Sequence, residues 1–89
     1  MREIEIDCLE FSNRQLLHEK LAEILTFPRW YGNNLDALHD CLTDIQEEIC
    51  LTLLHWDDFP LSQGVFPYAI RKVMEHAERE NPNLTIRFL

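Results

Sequence analysis

Ile49-Cys50-Leu51-Thr52-Leu53-Leu54 is a short apolar run of the kind expected for the most buried strand of a small parallel sheet, and its place is the middle of that sheet. Outward from it, two flanking strands appear at the ends of the chain. Arg2 to Cys8 alternates, with Ile4, Ile6 and Cys8 on one side and Glu3, Glu5 and Asp7 on the other. Leu84, Ile86 and Phe88 alternate with Thr85 and Arg87 in the same way. Between the first and central strands lie two helical patterns. Ser12 with Gln15 has capping-box spacing, and Phe11 with Leu16 has the spacing of a hydrophobic staple. The helix they predict presents Leu17, Leu21, Ile24 and Leu25 to the core and stops before Phe27-Pro28, because a residue preceding proline avoids the helical region. After the loop Pro28 to Asn33, either Asn33 or Asn34 caps a second helix that runs to about Asp44. Beyond the central strand, Asp57 to Gly64 reads as loop or a short helical turn. Phe66-Pro67 then opens a helix whose apolar stripe is Phe66, Ile70, Val73, Met74 and Ala77, ended by Asn81-Pro82-Asn83. The order βααβαβ, with helices linking the strands, favours right-handed crossovers and an α/β fold: a small three-stranded parallel sheet covered by helices.

A chain of 89 residues is expected to form one domain, residues 1–89, that folds without disulfide or metal staples. Its N-terminus, Met-Arg-Glu-Ile-Glu-Ile-Asp, lacks the apolar core of a signal peptide, and no apolar segment approaches membrane-spanning length. A cytoplasmic location is the expectation. Cys8, Cys41 and Cys50 are odd in number and fall on regular elements, which favours reduced thiols over a disulfide framework.

Charge points to the partner. The net charge is −8, and from Trp30 to Ile70 the chain carries seven carboxylates (Asp36, Asp40, Asp44, Glu47, Glu48, Asp57, Asp58) with no Lys or Arg. Nucleic acid and anionic membrane are disfavoured as partners, because their phosphates would be repelled, and a basic protein is the natural complement. On the second helix Leu35, Leu38 and Leu42 form an apolar row, while Asp36, Asp40 and Asp44 share the opposite side. Aspartate is a poor helix former, and like charges at i,i+4 cost about 0.2–0.5 kcal/mol per pair. No cation stands at i±3 or i±4 to relieve them. A locally unfavourable choice that the fold does not need indicates binding. Asp36, in the first turn, also meets the positive end of the helix dipole, so a stabilising role is open to it; Asp40, mid-helix, has no such role. Trp30 and Tyr31 are suited either to packing over the helix ends or to facing a partner, and Gly32 is read as supplying a positive φ in the turn.

Enzymatic readings are poorly supported. His39-Asp40-Cys41 offers base, acid and thiol, but consecutive helical residues point about 100° apart and Cys41 lies beside the Leu38/Leu42 core row. His18, His39, His55 and His76 have neither i,i+4 pairing nor a C-x-x-C among the cysteines, so neither catalytic residues nor a metal or cofactor site is expected.

The segment Phe27-Pro-Arg-Trp-Tyr-Gly-Asn-Asn-Leu-Asp-Ala-Leu-His-Asp-Cys-Leu-Thr43 closely resembles the signature of the barstar family, small intracellular inhibitors of secreted ribonucleases such as barnase. The run Tyr-Gly-x-Asn-Leu-Asp-Ala-Leu-x-Asp is long and specific, and the likeness extends in element order over the whole chain. The resemblance implies three parallel strands covered by helices. It also implies an inhibitory surface made of the second helix and the preceding loop, inserted into a nuclease active site.

Carried over position by position, Trp30 stands where the signature's first aromatic, usually Tyr, stands, and Asn34, Leu35, Asp36, Asp40 and Thr43 match contact positions. Asp40 resembles the central contact, whose carboxylate replaces a substrate phosphate among the nuclease's cations, and Asp36 resembles the one that engages a neighbouring basic residue. Three positions depart from the family pattern. His39 replaces an exposed Trp of the best-known member, Asp44 replaces a Gly, and counting back from the last strand puts His76, with Glu75 beside it, where an acid is expected. The partner-binding set is therefore Trp30, Tyr31, Asn34, Leu35, Asp36, His39, Asp40, Thr43 and Asp44. The resemblance implies a ribonuclease as the target, barnase-like or different; the alternative is a basic partner that is not a nuclease.

Overall fold

Burial alternates along the outer strands because successive side chains point to opposite faces, and this pattern organises the molecule. A computed structural model of the chain describes residues 1–58 and 65–89, the side chains of residues 65 and 66 excepted. Its elements are β1 (Arg2–Asp7), a 3₁₀ turn (Cys8–Glu10), α1 (Arg14–Leu25), α2 (Leu35–Thr43), β2 (Ile49–Leu54), α3 (Val65–Glu80) and β3 (Leu84–Phe88). The strands form one parallel sheet in the order β1-β2-β3. Ile49–Leu54 is therefore the central strand, as its apolar run predicts. Residues 59–64, which fall in the expected loop, and the side chain of Phe66, the first of the expected α3 stripe, lie outside the described residues.

Register divides the sheet into two unlike faces. Ile4, Leu51 and Ile86 are aligned across the three strands, and so are Ile6, Leu53 and Phe88. These rows share one hydrophobic cluster with Leu17, Leu21 and Leu25 of α1, Leu38 and Leu42 of α2, and Ile70, Met74 and Ala77 of α3. The other face carries Glu3, Cys50 and Thr85 in one row and Glu5, Thr52 and Arg87 in the next. Parallel sheets are normally apolar on both faces. Here one face is polar at its edges, yet Cys50 and Thr52 stay buried between the flanking strands. On the outer edge of β3 the Ile86 amide donates to Glu78 Oε2 at 2.6 Å, which occupies a group that would otherwise invite another strand.

Helix α1 begins one residue later than its sequence suggests. Asn13, not Ser12, is the N-cap, its Oδ1 accepting the Leu16 amide at 2.9 Å. Gln15 donates to Glu19 instead of reaching back, so the capping box does not form. Phe11 is drawn into the core and Leu16 is left exposed. At its other end α1 stops at Leu25, and Thr26 takes a left-handed conformation (φ 56°) in which its amide bonds Ala22 O. Among the described residues no helix is long and apolar enough to cross a membrane. Cys8, Cys41 and Cys50 are all free and buried.

Candidate protein-binding surface

The loop from Thr26 to Asn34 and the helix α2 that follows carry most of the expected contact residues, and both are fixed from within. Tyr31 turns inwards: it is 8% exposed, its ring meets Phe27 edge-on at 4.9 Å, and its hydroxyl is hydrogen-bonded to Nδ1 of His18. Burial holds the His18 imidazole below its ordinary pKa, with the Arg14 charge adding to the effect, so the ring sits there neutral. The same loss of water raises the Tyr31 hydroxyl far above its ordinary value. Of the two roles open to Tyr31, the structure gives it packing. It offers a partner little surface, and its place is beneath the loop.

Trp30, the residue before it, points the other way and is 63% exposed. The positive φ of this turn belongs to Asn33 (53°) and not to Gly32. A Cβ on Gly32 would lie 2.9 Å from Asn34 Nδ2, so that side chain would have to shift to admit it. Asn34 in turn is the N-cap of α2, its Oδ1 accepting the Ala37 amide at 2.8 Å.

Helix α2 buries Leu38, Cys41 and Leu42, and on the opposite side Asp36, Asp40 and Asp44 are exposed, as their spacing of four predicts. They form a ridge. Leu35, His39 and Thr43 make the adjoining, half-buried row. The Thr43 hydroxyl bonds back to His39 O and Asp40 O, both at 3.0 Å, so it is used within the helix. Within α2, His39 is the one basic side chain beside the acidic ridge. Its Nδ1 is 3.7 Å from Asp40 Oδ1 and its Nε2 is 3.3 Å from Glu80 Oε2. Helical spacing gives Asp40 no partner; the structure supplies an imidazole from the adjacent residue.

A hollow flanks the ridge on each side. One, of about 260 Å³, lies between α2 and α3 and is lined by Leu35, Asp36, His39, Lys72, Val73 and His76. His76, rather than Glu75, therefore faces α2, since Glu75 is turned to Arg71 at 3.6 Å. The other hollow, of about 180 Å³, runs between α2 and the loop, with Phe27, Trp30, Cys41, Asp44 and Ile45 among its walls. Burial raises the Cys41 thiol above its ordinary pKa, and the charges of Asp44 and then Asp40 raise it further. Such a thiol is a packing group and a poor nucleophile.

Sequence reasoning missed the residue that anchors the far end of the ridge. Asn81 is 4% exposed, and its Nδ2 donates to both Leu42 O and Ile45 O at 2.9 Å. Its Oδ1 accepts the Asn83 amide at 3.0 Å. Two carbonyls at the C-terminal end of α2 are thus satisfied by a side chain from the end of α3, and helix carbonyls left without such partners would be costly to bury. Asn81 in an Asn-Pro-Asn turn reads locally as a helix stop, so nothing in the sequence signals this role. Lys72 and Glu80 were also overlooked, although they share the i,i+4 row of His76 and could have been read from it.

The surface is therefore a preformed helix face: acidic along its crest, capped at one end by Asn34, tied at the other by Asn81 and bordered by an exposed tryptophan. Comparison with known proteins identifies the family. The chain matches the family described as Barstar (barnase inhibitor) over residues 1–88. It is also 37% identical over 81 residues to a Bacillus subtilis (strain 168) protein named "Putative ribonuclease inhibitor YrdF", a match that covers 90% of this chain and 89% of that one. With the sheet order, the acidic second helix and a match over nearly its whole length, this chain belongs to the barstar family.

Proposed function

We propose that this protein is an inhibitor of a ribonuclease, and that it acts by seating the Asp36–Asp40–Asp44 crest in the nuclease's cationic active site. The observation that carries the reading is the crest itself: three exposed carboxylates on one helix, of which only Asp40 makes an ion pair among the described residues, with the His39 imidazole, and with both helix ends fixed. Asp40, at the middle of the crest, stands in for a substrate phosphate, Asp36 engages a second cation, and Trp30 and Asn34 border the contact. The relative named as a ribonuclease inhibitor and the family's description as barnase inhibitor support the same target class. No catalytic step is asked of the chain. Buried reduced thiols suit the cytoplasm, where protection from a toxic nuclease is needed.

The test is affinity capture from the source organism with wild type and Asp40→Ala in parallel, together with inhibition of RNA cleavage by barnase and by whatever is captured. A basic nuclease held and inhibited by wild type only is the expected result. Capture of a basic protein without nuclease activity would transfer the same surface to a different partner. A wild-type chain that inhibits barnase and every captured nuclease no better than Asp40→Ala would end the reading.

A further inference from the structure

Trp30 and Asp44 are distant in sequence, yet they wall the same hollow, which Leu25, Thr26, Phe27, Pro28, Cys41 and Ile45 complete. Its chemistry is unusual for a surface recess. Most of its lining is apolar, Trp30 adds an indole that is 63% exposed, and Asp44 adds a carboxylate for which the described residues provide no ion pair. No cation lines it. The carboxylate's field reaches into the recess, because Asp44 contributes to raising the Cys41 thiol.

We propose that this hollow is a specificity pocket for one arginine side chain of the protein partner, its guanidinium lying against the Trp30 ring and bonded to the Asp44 carboxylate. The inference deepens the reading of the acidic crest as an inhibitory face and rests on it. Charge complementarity selects a cation, since Asp44 is the one charged side chain among the described residues that line the hollow. Geometry selects arginine over lysine. A planar guanidinium can stack on an indole while its fork reaches a carboxylate with two parallel hydrogen bonds, and its weak hydration suits a recess with apolar walls. An ammonium is a compact, strongly hydrated charge that would lose more water and stack less well. The apolar lining residues, Phe27, Pro28 and Ile45 among them, would cover the arginine's methylene stem. Such a pocket discriminates among basic nucleases by whether they place an arginine beside the active site, a choice that the crest's charge alone cannot make.

The test uses N-acetylated, C-amidated tetra-arginine and tetra-lysine as probes, titrated at low salt into wild type, Asp44→Asn, Trp30→Leu and Asp58→Asn while backbone amides and the Trp30 indole N–H are followed by NMR. Both peptides should bind the acidic chain. Tetra-arginine should bind wild type about two- to fivefold more tightly than tetra-lysine, with the largest shifts at the Trp30 indole and at residues 44 and 45. Asp44→Asn and Trp30→Leu should each abolish that preference, whereas Asp58→Asn, which removes the same charge from an exposed position elsewhere, should keep it. Unchanged amide spectra away from the substitution certify that each variant is folded. Equal affinity for the two peptides, or a preference that survives both pocket substitutions, would overturn the pocket. The nuclease assay is separate: a chain that inhibits no nuclease but keeps an Asp44-dependent arginine preference retains the pocket and loses only the inhibitor reading.

Discussion

Asp40 sits between Asp36 and Asp44 at i±4, and among the described residues its one ion-pair partner is the His39 imidazole at 3.7 Å. Asp40→Ala removes two repulsive pairs and replaces a poor helix former by the best one, so stability should be unchanged or should rise by about 0.5–1.5 kcal/mol. Affinity for the captured nuclease should fall by several kcal/mol, because catalytic cations would be left buried without a partner; the barnase–barstar pair is itself the standard illustration of this effect. Denaturant melts and calorimetric titration of the two proteins decide it, and a clearly destabilised variant would make Asp40 structural. His18 makes the opposite kind of contribution. Its folded pKa is lowered from the ordinary 6.5, so below that value the unfolded chain takes up a proton that the folded chain refuses. Stability should be insensitive to this group above about pH 6.5–7 and should decline as pH drops from there towards the lowered native value. Urea midpoints measured across this window should fall less steeply for His18→Gln. Asp7, held below its ordinary 3.8 by the Leu9 amide and by His55, acts in a separate and more acidic window.

At the scale of elements, α2 is short and gains little from intrinsic propensity, so its two ends decide whether the crest keeps its shape. Asn81→Ala would leave Leu42 O and Ile45 O without their side-chain donor. The expected loss is about 1–3 kcal/mol of stability, with faster hydrogen exchange in the last turn of α2 and weaker inhibition, while the Asp40 carboxylate is untouched. If Asn81→Ala weakens binding without altering exchange in α2, the anchoring role is wrong. At the other end, Gly32→Ala would push a methyl to within 2.9 Å of Asn34 Nδ2, on the side chain that caps the helix. Loss of the cap should lower stability by about 0.5–2 kcal/mol and raise exchange at the Ala37 amide first. An alanine tolerated with an intact Ala37 amide would show that the loop yields at no penalty.

For the molecule as a whole, the acids of the Trp30–Ile70 stretch supply nearly all of the net charge of −8, since the remainder of the chain holds nine acids against eight bases. A field so concentrated should steer a cationic partner towards α2. Stopped-flow association rates with the captured nuclease should drop as ionic strength rises to physiological, where charges are screened over about 8 Å, while dissociation changes less. Association that is flat across that range would remove steering. The fold supports this division of labour. One face of the sheet and all three helices share the apolar cluster, so the acidic face of α2 is free of any duty in the core.

The elements, their order and the acidic crest were legible in the sequence because each depends on local periodicity: alternation for β1 and β3, a continuous apolar run for β2, and a spacing of three and four for the helices. The family signature lies in one contiguous stretch and was legible for the same reason. Local chemistry could not choose between Ser12 and Asn13 as the cap of α1, since either residue caps well; the choice accompanies the burial of Phe11, which depends on the core it enters. Nor could it show that Tyr31 faces inwards to His18, that His39 lies between Asp40 and Glu80, or that Asn81 holds the end of α2. Asn81 and Leu42 are 39 residues apart in the chain, and Trp30 meets the hollow of Asp44 across a loop and a helix. Contacts of that kind exist only after the sheet and helices have packed, because side-chain direction is set by the residue's own element but its neighbour is set by another.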